Sequence, residues 1–185
     1  MKIPSYVILS GASSVLLMLG AFTDSARAGV LCEESVKTNF PGIYSNEKGQ
    51  EVAVPFSVPA RASITHLTWY GFWWGSESRS GEAAMTLTQF IVRVLPESSG
   101  GPGDVPLFNQ TITAKVQPTG QKMCLPGESG YDGNMIYRFD ADTSPAIALA
   151  VGTNWLSIIA LHPTTDQWLW ARGAMGPSEL RSRVL

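Results

Sequence analysis

The chain has 185 residues, 44% of them hydrophobic and 15% charged, with 18 Gly, 12 Pro and a formal net charge of −2. That length holds one domain with a real core, not two comfortable ones. So low a charged fraction, on the acidic side, excludes a disordered chain, a coiled coil and a nucleic-acid binder that works through a basic face.

Lys2 opens a short positive region, Tyr6 to Phe22 is uncharged and largely apolar, and Ala26-Arg27-Ala28 offers small residues at a cleavage site before Gly29. This pattern predicts a secretory signal peptide over residues 1–28, cut after Ala28. An uncleaved anchor is the weaker alternative, because Ser10, Gly11, Ser13, Ser14 and Gly20 interrupt the apolar stretch. Leu31 stands before Cys32, where a lipid-modified cysteine needs a small neighbour. No later stretch is long and apolar enough to cross a membrane, so the mature chain is expected without a span, secreted into an extracellular or periplasmic setting. In that oxidising compartment Cys32 and Cys124, the only two cysteines, are expected to form a disulfide. Closing so long a loop contributes about 4 kcal/mol in the chain-entropy account.

The mature chain divides into an N-terminal arm over 29–49, a β-sandwich domain over 50–172 and a flexible tail over 173–185. Val52, Val54, Phe56 and Val58 alternate on one face of a strand that Pro55 interrupts, which predicts an edge strand. Thr65 to Trp74 follows, with Leu67, Trp69 and Trp73 on one side and Tyr70, Phe72 and Trp74 on the other. Met85 to Leu95 is a third strand ended by Pro96, and Glu97 to Asp104 is a turn rich in Gly. Leu107 to Lys115, Met135 to Phe139, Ile147 to Val151, Trp155 to Leu161 and Gln167 to Ala171 complete the set. No window of the mature chain has a helical period free of Gly or Pro. The fold expected is all-β, a single antiparallel sandwich or jelly-roll-like domain of seven to nine short strands, with a closed barrel second.

Phe56-Ser57-Val58, the run Ile64 to Gly71, Phe90 to Val94, Gly101-Pro102-Gly103 and the run Leu149 to Ile158 together resemble a β-sandwich module of exported bacterial proteins of mostly uncharacterised function. The resemblance spans about residues 50–172. Such modules often accompany C-terminal sorting signals, whose Pro-rich motif, apolar helix and basic tail do not occur here. The resemblance implies a fold and an extracellular setting, and it brings no catalytic residues.

Catalysis needs one residue to activate another. His66 and His162 are the only histidines and no G-x-S-x-G elbow is present, so no catalytic residue is expected, and His66 reads as a partly buried strand histidine. Two distant histidines make no zinc site. Calcium needs only oxygens, which Asp132, Asp140 and Asp142 carry, but Asp-x-Asp reads first as turn chemistry. No cofactor and no metal are expected, calcium being the one alternative.

Aromatics remain. Five of the six residues from Trp69 to Trp74 are aromatic, and Trp168 and Trp170 repeat the pattern at period two. Sugar rings stack on flat aromatic faces, so Tyr70, Trp73, Trp74, Trp168 and Trp170 are the candidate ligand residues, with core packing as the competing reading and the stronger one for Trp69. The function expected is a secreted, non-catalytic sandwich that binds extracellular polysaccharide. A structural or assembly protein using the same patch for a cell-surface protein is second, and a small glycoside hydrolase or lyase third.

Overall fold

The computed structural model describes residues 43–45, 50–74, 88–124, 133–161, 167–171 and 181–184. The expected leader, Cys32, Asp132 and His162 lie outside them. Every regular element among the described residues is a strand: β1 (Ile43–Tyr44), β2 (Gln50–Val58), β3 (Ala62–Trp74), β4 (Gln89–Ser98), β5 (Gly101–Pro102), β6 (Phe108–Thr113), β7 (Lys115–Lys122), β8 (Met135–Leu149), β9 (Gly152–Ala160), β10 (Gln167–Trp170) and β11 (Arg181–Val184). They form two antiparallel sheets, β1-β10-β3-β8-β7 and β11-β2-β9-β4-β5, with β6 also paired to β4. The chain is the all-β sandwich that period-two alternation predicts.

The core lies between the sheets. From the first come Trp69 and Trp73 of β3, Phe139 of β8, and Trp168 and Trp170 of β10; from the second, Phe90 of β4 and Ile158 of β9. Trp69 stacks on Phe139 with centroids 5.6 Å apart and meets the edge of Phe90 at 5.0 Å. Trp170 reaches across, its Nε1 donating to the Ile158 carbonyl at 2.8 Å. Among the described residues the indole N–H groups of Trp69 and Trp168 meet no oxygen or nitrogen acceptor, and both rings sit in edge-to-face contact with phenyl rings. A second apolar cluster, Phe72, Met123, Ile136, Leu169 and Ala171 with Tyr70 against it, uses the opposite parity of β3, β8 and β10 and so belongs to the outer face of the first sheet.

Several boundaries differ from those expected. β2 lies between β11 and β9 rather than at an edge, but β11 covers only Gln50 to Ala53, so Pro55 falls beyond the residues that β11 pairs. Residues 181–184, expected as a flexible tail, supply β11. β4 runs through Pro96 to Ser98, and the broad turn expected after it narrows to Ser99 and Gly100, both at positive φ as a two-residue hairpin turn requires. The separate strands expected at 135–139 and 147–151 are one strand, β8.

β3 and β8 pair from Ala62 to Gly71 with a register shift between Ile64 and His66. Four β8 residues, 143 to 146, stand against the single residue 65 there, and the Thr143 hydroxyl donates to the Ile64 carbonyl at 2.7 Å. A bulge of this kind changes the phase of a strand. Before it Ala62 and Ile64 face the core, and after it Leu67 and Trp69 do. His66 is thereby set on the outer face, opposite Asp142.

Candidate functional site

Between the bulge and the Phe72 cluster, the outer face of β3, β8 and β7 is polar. His66, Thr68 and Tyr70 alternate along β3, and register sets them opposite Asp142, Asp140 and Arg138 of β8. Lys115 and Gln117 of β7, both exposed, pair with Asp140 and Arg138. Eight side chains thus lie in rows across three strands, with half-buried Tyr70 as the aromatic member next to the Phe72 cluster.

Asp140 organises the strip. Its Oδ1 accepts from the Thr68 hydroxyl at 2.6 Å, from Arg138 Nη2 at 2.8 Å and from Arg138 Nε at 3.1 Å, and lies 3.6 Å from His66 Nε2. Burial opposes its ionisation, but the bonds from His66, Thr68 and Arg138 and the Arg138 charge outweigh it and bring the carboxyl down to about 2. The His66 pKa is raised, first through Asp140, against partial burial, and then through Asp142. Asp142 Oδ1 is closer, 2.8 Å from Nδ1, yet its side chain is 86% exposed and water screens it, whereas Asp140 is 15% exposed.

The chemistry open to this cluster is binding and proton holding. Thr68 Oγ1 is 3.4 Å from His66 Nε2, a spacing reminiscent of a nucleophile and its base, but Thr68 is fully buried and its proton goes to Asp140. Asp140 and Asp142 lie within a strand and not in a turn, which corrects the sequence reading. Asp140 Oδ1 is engaged by Arg138 and Thr68, and among the described residues no three His, Cys, Asp or Glu side chains are placed to hold a metal ion.

The aromatic residues expected as a platform divide. Trp73, Trp168 and Trp170 are between 0 and 1% exposed, which overturns their assignment to ligand binding: a ring that no solvent reaches offers no face to a sugar. Their parity on β3 and β10 is that of Trp69, so closing the sandwich buries them together. Tyr70 is half-buried on the outer face; the Trp74 backbone pairs with Gln167, and its side chain is outside the described residues. Cys124 is an exposed free thiol and Cys32 lies outside the described residues, so the expected bridge is not seen among them. The strip itself was missed. Its signal is two polar alternations, His66-x-Thr68-x-Tyr70 and Arg138-x-Asp140-x-Asp142, in strands whose other parity is apolar.

Among the described residues no helix is long and apolar enough to cross a membrane. Comparison with protein-family models, curated proteins and solved structures returns no match.

Proposed function

We propose that this is an exported, non-catalytic β-sandwich module that binds an extracellular polysaccharide on the outer face of β3, β8 and β7. The observation that carries the reading is one outer sheet face on which Tyr70 stands in a row with Arg138 and Gln117, Lys115 and Asp142 belong to the next two rows, and Arg138 is held in place by Asp140. A flat row of charged and amide groups beside an aromatic ring matches a sugar chain, which offers hydroxyls along its edges and C–H groups on its faces. Export rests on the leader pattern of residues 1–28.

The test is titration calorimetry of the mature chain against a panel of soluble neutral and acidic polysaccharides. At least one polymer should bind, with the affinity lost in Tyr70→Ala and reduced about tenfold or more in Arg138→Ala, as for loss of a charge-assisted hydrogen bond, while both variants still unfold cooperatively. No binding across the panel, or wild-type binding by both variants, rejects the proposal.

A further inference from the structure

Both ring nitrogens of His66 face carboxylates. Nδ1 is 2.8 Å from Asp142 Oδ1, and Nε2 is 3.6 Å from Asp140 Oδ1. A neutral imidazole has one N–H, so in either tautomer the other nitrogen turns a lone pair towards an anion. Thr68 gives no relief, because its hydroxyl proton is directed to Asp140 at 2.6 Å. Only the imidazolium, with two N–H groups, suits both neighbours.

The charged and titratable groups around this ring are Asp140, Asp142 and Arg138 from β8, Lys115 opposite Asp140 from β7, and Tyr70 from β3 itself. Asp140 is held by Arg138 and Thr68 as well as facing His66. Asp142 is different: it is almost fully exposed, and its contact is with the ring. We infer that His66 is a proton-operated latch on the binding face, which when protonated pins Asp142 to the sheet and when neutral releases it. With the latch closed, His66, Arg138 and Lys115 face two carboxylates, one of them buried among donors. With it open, the cationic excess is gone and a mobile carboxylate stands over the face.

The ligand class that would respond is a polysaccharide bearing carboxylates, attracted in the first state and no longer attracted in the second. This part of the inference rests on the function proposed above, and the latch does not. The pKa of His66 is raised from its ordinary value, first through Asp140 and then through Asp142, so the latch opens at a higher pH than an unpartnered histidine would.

Two measurements on the mature chain test it. The first is NMR titration of the two histidines, assigned with a His162→Asn variant. His66 should titrate above 6.5, and Asp142→Asn should shift it downward. The second is titration calorimetry against polygalacturonate and a neutral galactan at constant ionic strength, at pH 6 and pH 9. Polygalacturonate affinity should fall several-fold at pH 9 in the wild type. Asp142→Asn should retain more of it at pH 9, His66→Gln should be weak at both, and galactan should show no such change. A His66 that titrates at or below 6.5, or that Asp142→Asn leaves unmoved, overturns the latch whatever binds. Polygalacturonate binding that does not change with pH, or that changes equally in His66→Gln, overturns its control of the ligand. The predicted titrations with no binding of either polymer leave the latch standing and reject its control of a carboxylate-bearing polysaccharide.

Discussion

Gly71 is where one missing side chain decides the packing of the core. A Cβ there would lie 2.5 Å from the Trp168 ring, so Gly71→Ala must displace a fully buried indole. The expected cost is about 1–3 kcal/mol, seen as a lower unfolding temperature. Trp73→Ala, Trp168→Ala and Trp170→Ala each open a cavity among packed rings, and each should cost about 3–5 kcal/mol and reduce accumulation of folded protein. Trp170→Phe is the finer probe, because it keeps most of the ring and removes the donor to the Ile158 carbonyl. Losing that bond should cost about 0.5–1.5 kcal/mol by denaturant unfolding. Had these indoles formed a surface platform, the alanine variants would unfold like the wild type.

Among the elements, the β3–β8 pair carries the pH dependence. The Asp140 carboxyl titrates at about 2 in the folded chain against 3.8 ordinarily, so its stabilisation is complete above 3.8 and disappears as pH falls towards 2. The amount is on the order of 2 kcal/mol. His66 works in the opposite sense: its raised pKa gives stability that is complete below 6.5 and lost as pH climbs through the folded value. Thermal unfolding across pH should therefore show greatest stability between these limits, with a flatter acid side in Asp140→Asn. In the second sheet, Arg93 of β4 reaches over β9 to Glu51 of β2, Nη1 to Oε2 at 3.1 Å, and Glu51 is 2% exposed. Arg93→Ala takes a cation from a buried carboxylate and should cost about 3–5 kcal/mol, well above the cost of an exposed Lys115→Ala.

At the scale of the molecule, the ends of the chain matter more than their composition indicates. β11 covers Gln50 to Ala53 of β2, while Ser45 accepts from Ala160 through its carbonyl and from Val52 through its hydroxyl. Removing residues 181–185 bares the start of β2, and an exposed strand edge pairs with other chains. The truncated protein should unfold at lower temperature and form larger species on size-exclusion chromatography; identical behaviour to the full chain would show β11 to be dispensable. If the leader is processed as its small-residue motif predicts, intact mass of the exported form begins at Gly29.

What the sequence determined by itself was the class of fold and the alternation of faces, because side-chain period is a local property of the backbone. Leu67, Trp69 and Trp73 separate from Tyr70 and Phe72 in the sequence pattern as they do in the sheet. Local pattern could not say which face would be covered. Trp168 and Trp170 are core because β10 pairs with β3 from Gly71 to Trp74, a contact about a hundred residues away in sequence that brings like parity together. The same holds for the polar strip: His66 reads as an isolated strand histidine until a bulge shifts its phase and β8 arrives with Asp140 and Asp142 on the same side. Register between distant strands comes from closing the whole sandwich, and that is where the site was decided.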